Sequence, residues 1–567
     1  MSLLRLPIEL QQRIISETIP ESIENVAVTC RALYDASERY LEQHNSLRKR
    51  FRHFSFSTFN TSSGTWDNIT AKTRIFVRHG IDLLMSIIHN PRIARYIETA
   101  DLKAGFGRDN LMWDDNHVSH QPENTRRSPR LTKGEDIKAL QQFLRESPYL
   151  KQIGEHPDFW EDMILEETYG HAEILLLSLL TNVRELALPT GWRKVGLRGQ
   201  DLSGTGRDFA VWRVLDQIVY CANDPGFKGA GLSKLEILRP FAGSGYNCRN
   251  SMTLNTPFLA LESLREAYIG GCVALEDGYT GLMFSPEYSS YSPRLEKLEL
   301  VGCTFEAWEM RVLLSRMPNL KYFRFAYEAK WDACGMNYDS GEILNTIMEC
   351  TGETLEQLSV WVMTKWGSMG STLTDMRGFK RLRSLEIDGA MLMGPEFRKD
   401  HIEESKGDFN DAPLTSPIDE MAAPRLVDLL PPSLESLRIL AEEEEDDDDE
   451  RSPAQLAKCF RALFDGLSQR RQDRLPRLRE IVLEVLEDDL DINLLKEIEA
   501  KGATVLLQEA TQLQPDFVHD FYDRFGVTAE RADVEEEEDD ENDDEWEESE
   551  DEDNNGEFGD SEEDDSE

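Results

Sequence analysis

Residues 293–305 read Pro-Arg-Leu-Glu-Lys-Leu-Glu-Leu-Val-Gly-Cys-Thr-Phe, and no other stretch restricts the fold as strongly. Leu295, Leu298 and Leu300 form an L-x-x-L-x-L phrase that closes on a turn at Gly302-Cys303. Side chains alternate along a strand, so Leu298 and Leu300 point one way while Lys297, Glu299 and Val301 point the other. One such strand cannot bury its leucines; it needs copies stacked beside it. The chain carries them at Val183/Leu186/Leu188, Leu232/Leu235/Ile237, Leu264/Ala267/Ile269, Leu320/Phe323/Phe325 and Leu355/Leu358/Val360. Further copies lie at Leu382/Leu385/Ile387, Leu434/Leu437/Ile439 and Leu478/Ile481/Leu483, with a weaker one at Ile97/Ala100/Leu102.

Several copies follow an amphipathic run. Residues 306–316 carry Trp308, Val312 and Leu313 ahead of Leu320; residues 341–350 carry Ile343, Leu344 and Ile347 ahead of Leu355; residues 454–467 carry Leu456, Phe460, Leu463 and Phe464 ahead of Leu478. The unit is helix, turn, strand. Over roughly residues 90 to 510 this resembles the leucine-rich repeat family, which implies an α/β solenoid with parallel strands on its concave face and helices outside. Its steps are irregular: positions 298, 323, 358, 385 and 437 are 25, 35, 27 and 52 apart, against ~20–29 for regular repeats. The long steps read as insertions, and an ordinary α/β sheet protein is the competing fold.

The 567 residues carry a net charge of −46, spread unevenly. Residues 535–567 hold 23 acidic side chains and no Lys or Arg, and residues 442–450 add nine more. Without those 32 the remainder is at −46 + 32 = −14. Such a balance argues against non-specific binding to nucleic acid or to anionic membranes. The eight cysteines are never closer than 16 residues, so neither a C-x-x-C zinc spacing nor a compact disulfide framework exists. With no signal-like start and no spanning apolar run, the protein is expected to be soluble and intracellular, cytoplasmic and/or nuclear.

Residues 5–44 form a three-helix pattern: Leu10, Ile14 and Ile15 after Pro7, then Ile23, Val26 and Ala27 after Pro20, then Cys30, Leu33, Tyr40 and Leu41. Forty residues with so few apolar groups are marginal alone; they pack on the repeats or on a partner. Leu6-Pro7-x-Glu9-Leu10, the Ile14-Ile15 pair and Val28-Thr29-Cys30-Arg31-Ala32-Leu33-Tyr34 resemble the F-box in its fungal form. The second helix is shorter and more polar than in many members. The resemblance implies docking onto a Skp-type adaptor of a cullin ubiquitin ligase through Leu6, Pro7, Ile8, Leu10, Ile14 and Leu33. The competing reading is a helical cap over the first repeat's apolar edge.

The expected division is residues 1–45, an F-box-like domain; 46–80, a linker; and 81–510, the solenoid, with loop insertions near 399–424 and 441–453. A capping segment, 511–534, and a disordered acidic tail, 535–567, follow. Basic clusters at residues 48–52 and 126–130 read as solvated surface or nuclear signals. No phosphate loop, nucleophile elbow or metal motif appears; His117 and His120 beside Asp114 and Asp115 are a poor metal site. No cofactor and no catalytic residue is expected. What remains is a binding protein: a non-catalytic substrate receptor of a cullin ligase, or an acidic-tailed scaffold resembling a histone chaperone. On the solenoid's strand face Tyr268, Tyr322, Arg324 and Trp361 are the expected contacts to an unknown target protein, being residue types that dominate interfaces.

Overall fold

A period-two apolar phrase buries itself only when the strands lie in register, and in the structure they do. The computed structural model describes residues 5–56, 80–103, 134–166, 170–194, 207–245, 248–275, 284, 288–330, 338–364, 375–393, 424–441, 453–486, 492–508, 514–527 and 529–530. The strands are β1 (His53–Ser55), β2 (Thr99–Asp101), β3 (Glu185–Ala187), β4 (Ile237–Arg239), β5 (Ser244–Gly245), β6 (Asn250–Ser251), β7 (Glu266–Gly270) and β8 (Cys272–Ala274). They continue as β9 (Lys297–Phe305), β10 (Tyr322–Glu328), β11 (Gln357–Thr364), β12 (Ser384–Asp388), β13 (Ser436–Ala441), β14 (Glu480–Leu486), β15 (Thr504–Gln508) and β16 (Ala529–Glu530). The result is a mixed α/β fold with one large parallel sheet, ordered β1-β2-β3-β4-β7-β9-β10-β11-β12-β13-β14-β15. Each strand thus lies beside the next along the chain, apart from the short β5, β6 and β8; β6 and β8 join at its side, and β16 pairs with β5.

One hydrogen-bond relay crosses almost the whole sheet. The carbonyl just before a strand accepts from two consecutive N–H groups opening the next: Arg52 from Glu98 and Thr99, Glu98 from Arg184 and Glu185, and Arg184 from Glu236 and Ile237. The same holds from Glu236, Arg265, Glu296, Lys321, Glu356 and Arg383 to Glu435, which accepts from Arg479 and Glu480. Every strand in the relay therefore begins at an equivalent position. Leu298, Phe323, Leu358, Leu385, Leu437 and Ile481 fall in one row, and Leu300, Phe325, Val360, Ile387, Ile439 and Leu483 in another.

These rows face the helices. Ser340–Thr351 is capped by Asp339, whose side chain accepts from the Glu342 N–H at 2.8 Å, and it buries Ile343, Leu344 and Ile347. Ala307–Leu314 buries Met310, Leu313 and Leu314. Each such side chain contributes about 1.5–3 kcal/mol on leaving water. The resulting core is continuous from Ile15 to Ala503.

Several expectations need correction. Residues 46–56 are not linker: a single helix, Arg31–Phe51, runs into β1. Phe51, Phe54 and Phe56 are buried there at the phrase's three positions, with phenylalanine in place of leucine. The copy at Leu232/Leu235/Ile237 is three residues out of place. Pairing of Leu186 with Leu238 puts the phrase at Leu235/Leu238/Pro240, and its terminal proline disguised it. Gly302 is a bulge within β9, where the register passes from Ala326–Val301 to Tyr327–Cys303. Its φ of +60° favours glycine. The closing helix expected over 515–525 forms as Asp516–Phe525, but it packs on the sheet's other face, over Tyr268, Val301, Ala326, Trp361 and Leu440, rather than capping the end. Residues 57–79, the His117/His120 pair, the 126–130 cluster, most of the 399–424 and 441–453 insertions and the tail 535–567 lie outside the described residues. No helix among those described is long and apolar enough to cross a membrane.

Candidate binding surfaces

The first surface belongs to α1 (Ile8–Glu17), α2 (Ile23–Ala27) and α3 (Arg31–Phe51). On α1, Gln11 and Ile15 are four apart and buried, whereas Leu10 and Ile14, also four apart, face solvent. The Gln11 amide donates to the Leu6 carbonyl at 2.8 Å, fixing the entry of the Leu-Pro corner. Pro7 and Ile8 are exposed, and Leu6 is half-buried. Leu33, expected on the same surface, is instead buried at 5% and packs among the helices. Two neighbours that the apolar periodicity passes over are exposed instead, Val28 at 80% and Tyr34 at 53%. The inner side of the three helices carries Ile15, Ile19, Ile23 and Phe51 into the main core. One ion pair crosses from the unit to the rest of the chain, Glu21 with Arg95, while Glu24 meets Arg48 at 2.6 Å within the unit. His44 Nδ1 lies 2.9 Å from the Tyr96 hydroxyl. Burial lowers the His44 pKa, against the opposing pull of Glu24.

The second surface is the sheet face turned away from the helices, and register arranges it in three rows. The row at the strand starts contains Lys297, Tyr322, Gln357, Ser384, Ser436 and Glu480, all half-buried or exposed. The middle row runs Tyr268, Glu299, Arg324, Ser359, Glu386 and Arg438, so acid and base interleave. Arg324 reaches Glu299 at 3.1 Å, and Ser359 donates to Glu386 at 2.9 Å. Burial pushes the Glu386 carboxyl up, opposed by Ser359 and Arg438. The inner row contains Val301, Ala326 and Trp361.

The C-terminal helix Asp516–Phe525 covers this face. Phe517, Val518, Phe521 and Phe525 pack with Val527 on Tyr268, Val301, Ala326, Trp361 and Leu440, in a cluster that shares no residue with the main core. Its first residue, Asp516, meets Arg438 at 3.0 Å, and its last carbonyl, Phe525, accepts from Lys103 beyond β2. Ten residues of helix span ~15 Å, whereas the eight strand steps from β2 to β13 would span ~38 Å laid flat. The long side chains of Arg438 and Lys103 reach across the remainder.

Tyr268 and Trp361 are consequently each 1% exposed and touch this chain's own helix rather than a target. Arg524 donates to the Tyr268 hydroxyl at 3.0 Å and sits over its ring, and Tyr268 donates to Glu266 at 2.5 Å. Arg324 is partly covered by Phe517, its guanidinium 5.6 Å from the ring. Of the four expected contacts only Tyr322 lies in the accessible row. The spacing of Phe517, Phe521 and Phe525 was visible in the sequence; what it covers was not.

Beside the helix a buried polar cluster fixes the loop that carries β5. Glu328 accepts from the Gly245 N–H at 3.1 Å and pairs with Lys330, which donates to the Gly245 carbonyl at 2.8 Å. Ser244 bonds the Tyr522 hydroxyl, and β16 pairs with β5. The C-terminal segment is thereby held by backbone pairing as well as by its aromatic stripe. No protein-family profile matches this sequence, and no curated protein does either.

Proposed function

We propose that the protein is a substrate-recognition subunit of a cullin-type ubiquitin ligase. Its N-terminal helices act as an F-box for a Skp-type adaptor, and its strands and helices act as leucine-rich repeats that hold a target protein. The observation that carries this reading is a concentration of exposed apolar side chains. Of the ten large hydrophobic residues exposed among the described residues, five (Ile8, Leu10, Ile14, Val28 and Tyr34) fall between positions 8 and 34. Helices that bury one side in the core and leave such residues in water mark an interaction site. The equivalent strand starts support the repeat reading, because each strand meets its neighbour through the same two N–H groups. The role is one of position, since holding a target beside a transfer site makes the reaction effectively intramolecular. The partners are the adaptor, the cullin behind it and a target protein, with neither nucleic acid nor membrane.

The second reading is an acidic-tailed scaffold whose N-terminal helices only cap the sheet. It draws support from the continuity of Ile15, Ile19, Ile23 and Phe51 with the main core. Adaptor binding separates the two. The tagged protein should co-elute with a Skp-type adaptor and a cullin. Truncating one interface anchor costs ~2 kcal/mol, about thirtyfold in affinity, and a buried unpaired carboxylate costs more. Leu10→Asp with Ile14→Asp should therefore abolish co-elution without lowering the unfolding midpoint. A wild-type chain that never retains an adaptor refutes the ligase reading.

A further inference from the structure

The helix Asp516–Phe525 is built like a ligand. Its aromatic residues stand at i, i+4 and i+8, one stripe of an amphipathic helix. The sheet receives them on Tyr268, Val301, Ala326, Trp361 and Leu440. The outward side carries His519, Asp520 and Asp523, all exposed. Charges frame the two ends: Arg438, itself 3.2 Å from Glu484, takes the N-terminal Asp516, and Lys103 takes the C-terminal carbonyl. The main core closes without a single residue of this helix. An apolar stripe seated between charged ends is how grooves capture helices from other proteins.

We propose that this face is a helix-binding groove, and that Asp516–Phe525 is its internal competitor. The partner it fits is an amphipathic helix with aromatic residues at i, i+4 and i+8, preceded by an acidic residue that meets Arg438. This deepens the target-binding reading and rests on it, for the captured helix belongs to the target. A tethered competitor whose own untethered affinity is micromolar, acting at an effective concentration of order mM, weakens any incoming helix roughly a thousandfold until the internal helix is displaced.

The test uses full-length protein and a labelled peptide of this chain's residues 513–530, followed by fluorescence anisotropy. The triple variant Phe517→Ala, Phe521→Ala, Phe525→Ala empties the groove while keeping the chain whole. It should bind the peptide at least a hundredfold more tightly than wild type does, and a peptide with the same three alanines should not bind. Adding Trp361→Ala to the triple variant should remove binding. Equal binding to wild type and triple variant, no binding to either, or binding indifferent to Trp361→Ala overturns the proposal. Loss of the sheet's circular dichroism in the triple variant also overturns it, since the helix would then be part of the core. Concentration-dependent dimerisation of the triple variant's parent through exchanged helices would assign the groove to a second copy and overturn the partner. Adaptor co-elution is scored separately: peptide binding without an adaptor removes the ligase reading alone, and an adaptor without peptide binding removes the groove alone.

Discussion

Lys330 has no exposed side-chain surface, and its partner Glu328 has 9%. Replacing Lys330 with methionine leaves the Glu328 carboxylate buried with the Gly245 N–H as its remaining donor, and takes one of two donors from the Gly245 carbonyl, which keeps the Cys248 N–H at 3.0 Å. Breaking a buried pair on one side costs ~3–5 kcal/mol, mostly through the charge left behind. The double change Lys330→Met with Glu328→Gln removes both charges, keeps an acceptor for the Gly245 N–H, and loses about one net hydrogen bond, ~1 kcal/mol. The single change should therefore cost more than the double. Native-state hydrogen exchange reads this locally, which matters in a long chain whose parts open with different free energies. At ~1.4 kcal/mol per tenfold, exchange at residues 244–245 should rise by roughly two to three and a half powers of ten in Lys330→Met and by about fivefold in the double variant. Because Ser244 bonds Tyr522 and β5 pairs with β16, protection across 516–527 should fall with it. A single variant that costs no more than the double would refute the argument, for the buried charge would then not be what the lysine compensates.

Two further outcomes follow from single sites. Glu173 is 4% exposed, and burial raises its carboxyl to about 7, so its contribution is full below the unfolded value of ~4.3 and is lost as pH rises to about 7. That shift corresponds to roughly 3–4 kcal/mol, and Glu173→Gln should raise urea resistance at pH 8 while changing little at pH 4. Gly302→Ala should lower the urea midpoint, because φ of +60° costs a side chain about 1–2 kcal/mol and the new Cβ would stand 2.2 Å from Ser244 Cβ. An unchanged midpoint would show that the bulge relaxes freely.

What the sequence displayed and what it hid divide along a physical line. The phrase was legible wherever a leucine, isoleucine or valine anchored it, even with phenylalanine beside it as in Leu320/Phe323/Phe325, since period-two burial leaves a period-two pattern; Leu295/Leu298/Leu300 lies buried as expected. It was illegible at Phe51/Phe54/Phe56, where a different residue type occupies the same geometry, and at Leu235/Leu238/Pro240, where proline replaces the last apolar group and a false copy ending at Ile237 lies three residues upstream. The exposed N-terminal residues were legible as an excess of aliphatic side chains over what three short helices can bury. Leu33 shows the limit of that count, because excess alone does not say which member is turned inward.

The covered face marks a deeper limit. Alternation correctly placed Tyr268, Arg324 and Trp361 on the face away from the leucines, but alternation says only which way a side chain points. Whether water or protein lies beyond it depends on residues 517–525, some 150 to 260 positions later in the chain. A local pattern carries no information across that separation. One global clue did exist: a strand face exposing Tyr268, Trp361, Val301, Ala326 and Leu440 together is more apolar than a solvated sheet tolerates. A three-phenylalanine stripe at helical spacing near the C-terminus is the complementary surplus. Two unmatched apolar surfaces in one chain are expected to find each other, since an intramolecular encounter does not carry the translational cost of binding a separate molecule. The same reasoning makes the contact exchangeable. A helix held by an aromatic stripe, two charged ends and the short β5–β16 pairing can be replaced by another helix that presents the stripe at the same spacing and binds more strongly than the tether and that pairing favour its own.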